Sequence, residues 1–211
     1  MSELFVLTER PSVYLASKSP RREELLRQLG VEFQSLQLRE APGRRRDIVE
    51  APRKDEPPLE YVRRMARTKA SVGWHRMGRR GLTPRPVLGA DTEVVLDGAA
   101  IGKPGDAASA VAMLASLSGR THDVFTAVAL RWQSELAVAV SASRVRFRAI
   151  PKDEIERYVA SDEPFDKAGG YAIQGRAATF VQHLEGSYSG VMGLPLFETA
   201  ELLARMGFPV L

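Results

Sequence analysis

The sequence predicts an α/β protein: a mixed β-sheet flanked by helices. Three observations carry that expectation. Strand-length apolar segments alternate with segments of helical periodicity over residues 13–119. A cluster of strand-like segments follows over residues 124–150. The length of 211 residues matches one domain of ~100–200 residues. Residues 1–211 are therefore read as a single domain, with room for two lobes.

Residues 13–17 read as a short buried strand. Ser19-Pro20 reads as an N-cap followed by Pro at the first helical position, and Leu25, Leu26 and Leu29 give that helix its apolar stripe up to Gly30. Residues 31–38 form a second strand, and the Pro- and Arg-rich residues 39–58 an exposed loop. A helix over 59–72 presents Val62, Met65, Ala66 and Ala70 on its inner face. Lys69 stands on that same face, so its charge either snorkels out or meets a buried anion. After a polar loop over 76–86, an apolar strand over 87–90 runs into Asp91.

Residues 92–96 and 99–101 flank Asp97-Gly98, a strong hairpin signal. Asp106 caps a helix through Val111, Leu114 and Leu117 to Gly119. Residues 124–132 and 135–141 read as hairpin strands. Residues 143–150 alternate, with Val145 and Phe147 on one face and Arg144, Arg146 and Arg148 on the other. A short helix over 151–160, a Gly-rich loop over 165–175 and a last helix from near Pro195 to Gly207 complete the chain.

Composition excludes several classes. Hydrophobic residues make up 44% and charged residues 27%, a globular balance rather than a disordered one. No apolar run approaches the ~20 residues of a membrane span, and residues 1–11 carry no signal-peptide pattern. The absence of Cys rules out disulfides, thiolate zinc sites and a Cys nucleophile. A soluble cytoplasmic protein is expected. The basic residues comprise 24 Arg and 6 Lys, and residues 1–105 carry a net +6 while the rest carry −2. The positive half suits a nucleotide or nucleic acid; Arg codon choice in a GC-rich genome accounts for it equally well.

Three segments are equipped for chemistry. Ser17-Lys18-Ser19-Pro20-Arg21-Arg22 lies between a strand and a helix N-terminus, where N–H groups, hydroxyls and guanidiniums suit phosphate. The bland alternative is a capped helix with solvated Arg. Asp91 is expected at the C-terminal edge of its strand, where α/β sheets bind ligands. The hairpin register would set Lys103 opposite Thr92, next to Asp91, giving a cluster able to hold a metal ion and a phosphate; a surface salt bridge is the competing reading. In the segment Asp166-Lys167-Ala168-Gly169-Gly170-Tyr171-Ala172-Ile173-Gln174-Gly175, the glycines admit a ligand and Gln174 offers a donor and an acceptor to a base edge. A flexible surface loop is the competing reading. His75, His122 and His183 lack metal-like spacing and read as structural or exposed, Trp74 and Trp132 as packing, and Arg44-Arg45-Arg46 as a solvated run.

Tyr14-Leu15-Ala16-Ser17-x-Ser19-Pro20-Arg21-Arg22, Gly89-Ala90-Asp91-Thr92, Gly102-Lys103-Pro104, Leu117-Ser118-Gly119-Arg120-Thr121-His122 and the Asp166–Gly175 block together resemble the Maf family of nucleoside triphosphate pyrophosphatases. The order and coverage extend over nearly the whole chain. The 167–175 and 186–195 segments resemble the branch acting on dTTP and UTP more than the branch preferring methylated GTP. The resemblance implies a bent mixed sheet around a deep cleft, often in a homodimer, and a divalent cation, usually Mg²⁺, with Mn²⁺ or Co²⁺ as substitutes. It implies Asp91 as general base, Arg21, Thr92 and Gln174 as specificity positions, and Ser17, Arg21, Arg22, Lys69 and Lys103 on the phosphate side. Asp91 and Glu50 are the implied metal-side carboxylates, Glu50 being the one acidic residue in place of the family's usual pair. Neither a membrane nor a specific nucleic-acid partner is expected. The rival expectation is a nucleotide- or nucleic-acid-binding regulator of cell division, supported only by the basic N-terminal half.

Overall fold

The computed structural model describes residues 11–39 and 47–211; the Arg44-Arg45-Arg46 run lies outside the described residues. Strand β1 (Ser12–Leu15), helix α1 (Pro20–Gln28) and β2 (Glu32–Ser35) form a βαβ unit, with Val13 level with Phe33 in a parallel pair. Helix α2 (Pro58–Arg79) leads into β3 (Val87–Leu96), which lies parallel to β1. A two-residue β4 (Ala99–Ala100) folds back on β3, with Leu96 facing Ala99 across the expected Asp97-Gly98 turn. Helix α3 (Ala107–Leu117), the long hairpin of β5 (Thr121–Trp132) and β6 (Glu135–Phe147), and α4 (Lys152–Val159) follow. The chain then makes three 3-10 turns before β7 (Val181–Glu185), α5 (Tyr188–Met192) and α6 (Leu196–Arg205). The seven strands form one mixed sheet in the order β2-β1-β3-β5-β6-β7, with β4 appended to β3.

The apolar run in β5 explains the layering. Ala127 and Ala129 meet Tyr61, Val62, Met65, Ala66 and Ala70 of α2 on one face. Val128 and Leu130 meet Leu25 and Leu26 of α1 and Leu202 and Leu203 of α6 on the other. A strand buried on both faces has no polar alternation to show. A third cluster packs α3 and α4 around Phe147 and Tyr171. Trp74 and Trp132 meet edge to face at 5.8 Å, as packing groups should. Asp106 caps α3 through a reciprocal box with Ser109. Ser19 makes no such bond with its side chain, and its N–H donates to the Ser17 hydroxyl.

Several boundaries depart from expectation. Helix α2 runs to Arg79 because its inner face continues through Gly73, where a Cβ would come within 2.7 Å of Val87, and through buried Met77. Strand β3 is continuous through Asp91, and β6 through Ala142, because β5 supplies an unbroken antiparallel ladder to both. β7 is short and mostly exposed and α5 has only five residues, so neither leaves an apolar period to read.

His122 is buried, whereas His75 and His183 are exposed. Its Nε2 meets the Tyr171 hydroxyl at 2.8 Å, and Phe147 stacks on it edge to face. Burial pushes its pKa from 6.5 down to about 4. Between those values the folded protein binds fewer protons than the unfolded chain. The site's stability contribution is therefore full above pH 6.5 and is lost as pH falls toward 4. In His122→Phe, the slope of urea midpoint against pH should flatten across that window; an unchanged slope would mean other groups govern acid stability.

Candidate active site

The nine side chains singled out from the sequence, Ser17, Arg21, Arg22, Glu50, Lys69, Asp91, Thr92, Lys103 and Gln174, all line one cleft of about 860 Å³. Its floor exists because of Gly89. A Cβ there would meet the Ala66 carbonyl oxygen and the Ala70 nitrogen at 2.6 Å each, so glycine lets α2 lie directly on β3. Lys69 Nζ then reaches Asp91 Oδ1 at 2.7 Å and Glu50 Oε1 at 2.7 Å. Lys69 and Asp91 are each only 9% exposed, so the charge on the apolar stripe meets a buried anion rather than snorkelling out. Burial works against ionisation of Glu50, but Lys69 outweighs it and holds that carboxyl below its usual range.

Two expectations about this floor need correction. Asp91 is not at a strand end; it pairs with Ala127 in the middle of β3. Lys103 is not paired with Thr92, because the small hairpin ends before reaching it; the Thr92–Thr126 pair lies on the other edge of β3. The last bond of the small hairpin runs from Ile101 N–H to the Val94 carbonyl, and Gly102, at φ +69°, turns the chain away. Lys103 reaches the cleft from that turn.

Glu93 escaped the sequence reading. It sits two residues from Asp91 on the same face of β3 and lines the cleft. Its Oε2 is buried with no hydrogen-bond partner. Burial, then the neighbouring Asp91 charge, raises its pKa to about 7. The available signal was a carboxylate inside an otherwise apolar strand.

Arg22 is more a clamp than a free phosphate ligand. Its Nε donates to the Gly193 carbonyl at 2.7 Å, Nη1 to Ser17 Oγ at 3.2 Å and Nη2 to Thr92 Oγ1 at 3.2 Å. Three of its five donors are thus spent joining α1, β3 and the turn after α5, and two remain for an anion. Arg21 bridges instead to Asp166 Oδ2 at 3.0 Å, whose other oxygen accepts from Lys167 Nζ.

The Gly-rich segment is not a loose loop. Gly169 donates to the Gly102 carbonyl at 2.7 Å, and Gly169 through Ile173 are buried. Gln174 is exposed at the cleft wall, and its amide makes no hydrogen bond among the described residues. A free amide can turn either end to a base, so it cannot by itself tell uracil from cytosine. Gln174→Ala should lower kcat/KM for UTP and CTP by similar factors, and a collapse of the UTP-to-CTP ratio would show the amide locked in the complex.

Seven cationic side chains line the cleft against four carboxylates, an excess that suits a polyanion. The metal donors available are carboxylates, with no His or Cys in the lining, which matches a hard, oxygen-preferring cation. The unpartnered Glu93 oxygen and its raised pKa mark surplus negative charge beside Asp91 that such a cation relieves. Among the described residues no three His, Cys, Asp or Glu side chains could cage an ion alone. Mg²⁺ needs no cage, since it takes one or two carboxylates and completes its shell with water and phosphate.

The family model described as Maf-like protein matches residues 12–206. A dTTP/UTP pyrophosphatase of Aromatoleum aromaticum is 54% identical over 199 residues, covering 94% of this chain and 97% of that protein. Proteins of the same name from Nitrosomonas europaea and Nitrosospira multiformis are 52% and 56% identical, covering 94% and 90% of this chain and 96% and 92% of their own.

Proposed function

The chain belongs to the Maf family, and from that premise we propose that it hydrolyses dTTP, UTP and related pyrimidine nucleotides to the monophosphate and pyrophosphate. The observation that carries this reading is a buried carboxylate, Asp91, set beside Lys69 in a cleft lined with cations. A triphosphate supplies the negative charge that this lining lacks. Relatives sharing more than half of their residues with this chain, and bearing that activity in their names, support it.

In the reaction, water attacks the α-phosphorus and the bond to the bridging α–β oxygen breaks. Asp91 Oδ1 is anchored by Lys69, which leaves Oδ2 to take the proton of the attacking water. Arg21, Lys69, Lys103 and the two spare donors of Arg22 offset charge gathering on the phosphates and on departing pyrophosphate. Asp91 and Glu50 would hold the divalent cation, Mg²⁺ first and Mn²⁺ or Co²⁺ in its place, which supplies further charge neutralisation at the phosphates. Removal of surplus or non-canonical nucleotides in the cytoplasm, by one domain assembled as a homodimer, completes the proposal. Among the described residues no helix is long and apolar enough to cross a membrane.

The test is pyrophosphate release from UTP, dTTP, CTP and GTP with Mg²⁺, where UTP and dTTP should lead. Equal turnover of GTP would sink the pyrimidine assignment, and no release from any of them would sink the enzyme. Duplex DNA should bind weakly and without sequence preference. Sub-micromolar, sequence-selective binding at ~0.15 M salt would put the regulatory reading ahead.

A further inference from the structure

Thr126 belongs to no motif considered above, yet it lies wholly buried under the cleft. Its Oγ1 is 2.7 Å from the Gly190 carbonyl oxygen and 3.0 Å from Thr92 Oγ1. A threonine hydroxyl has one proton and two lone pairs. A carbonyl oxygen only accepts, so the Thr126 proton goes to Gly190. The short contact to Thr92 then requires the Thr92 proton to point at Thr126. Thr92 also accepts from Arg22 Nη2 at 3.2 Å. After these bonds it has no proton left to give and one lone pair still to offer.

We infer that Thr126 is a positioning residue that fixes Thr92 as an acceptor toward the cleft, so that the nucleotide group meeting Thr92 is a hydrogen-bond donor. The inference rests on the pyrimidine-nucleotide reading and deepens it. Ionised phosphate oxygens carry no proton, so Thr92 does not bind the triphosphate. Two nucleotide groups supply a donor: the imide N3–H of uracil or thymine, and the sugar 3′-hydroxyl. The imide source also explains selectivity that an unheld Gln174 does not provide, because cytosine presents a bare N3 acceptor.

The test compares kcat/KM for UTP, 3-methyl-UTP and 3′-deoxy-UTP, with inhibition by inorganic tripolyphosphate, in the wild type, Thr126→Val, Thr126→Ser and Thr92→Val. One analogue should be ~10–100-fold poorer than UTP in the wild type, the range expected for one unpaired polar group. That ratio should shrink in Thr126→Val and Thr92→Val and survive in Thr126→Ser, which keeps the hydroxyl but loses the methyl. Tripolyphosphate inhibition should be the same in the wild type, Thr126→Val and Thr126→Ser, all of which keep the Thr92 oxygen that holds Arg22. A shrinking 3-methyl ratio assigns the donor to the base, and a shrinking 3′-deoxy ratio assigns it to the sugar.

The inference is overturned if neither ratio moves in Thr126→Val, if Thr126→Ser loses as much as Thr126→Val, or if Thr126→Val weakens tripolyphosphate. Should Thr126→Val not fold, Thr126→Ala removes the same hydroxyl without bulk, and Thr92→Val alone must still collapse the ratio. A wild type inactive on UTP and dTTP overturns the proposed function and this inference with it. Normal turnover with unmoved ratios overturns this inference alone.

Discussion

Asp91→Asn should lower kcat for UTP by ~10²–10⁴-fold, the usual contribution of a general base, with an intact fold but a lower melting temperature, because the nearly buried Lys69 keeps only Glu50 as a paired carboxylate. The asparagine keeps the size of the side chain but cannot take a proton from water. The fold should survive, because Asp91 is held in the sheet by backbone pairing to β5 rather than by its carboxylate. KM should move less than kcat, since the proposed reading has the triphosphate met chiefly by the cations of α1, α2 and the Lys103 turn that line the cleft. Turnover within a few-fold of wild type would remove Asp91 from the chemistry.

Lys69→Met should show the largest stability effect. Lys69 is nearly buried, and its loss strands Asp91 without a counter-charge under α2. Removing one partner of a buried ion pair costs about 3–5 kcal/mol. For a protein of this size that corresponds to a fall in Tm of roughly 6–20 °C. Glu50 adds little to the loss, because its side chain is 51% exposed and water can carry its charge. The double variant Lys69→Met/Asp91→Asn should recover most of the stability, since neutralising Asp91 removes the stranded charge. The measurement is thermal unfolding in the presence of a chelator, so that no added cation replaces the ammonium. A single variant melting within a degree or two of wild type would show the pair to be energetically idle.

Lys69 also shows how far local pattern reaches. Its place on the stripe of Val62, Met65 and Ala66 was legible from a period of 3.6, and that anomaly left a snorkelling charge or a buried anion as the alternatives. The same was true of the Asp97-Gly98 turn, the Asp106 cap and the alternation of Arg144, Arg146 and Arg148 with Val145 and Phe147. Each depends on residues a few positions apart, where backbone geometry dictates which side chains share a face. The register extrapolated from Asp97-Gly98 to Lys103 failed, because a ladder continues only while its partner stays alongside. Gly102 turns away just before Lys103, so the β4 edge of β3 is left without a partner strand at Thr92, while β5 runs along the other edge.

Composition and pattern by themselves determined the α/β class, and motif with resemblance picked out nine of the side chains that share the cleft. The resemblance across nearly the whole chain placed them in one family. The tertiary structure alone decided how those side chains are used. Nothing local ties Arg22 to Gly193, 171 positions away, or gives Gly89 its task of seating α2 so that Lys69 reaches Asp91. Glu93 became visible as an unpartnered buried carboxylate only once β3 was seen to continue through the site. Thr126 gained a role only when three oxygens were found close enough to compete for two protons. Hydrogen bonds and ion pairs act over ~3–4 Å, and those separations are set by strand order and helix seating.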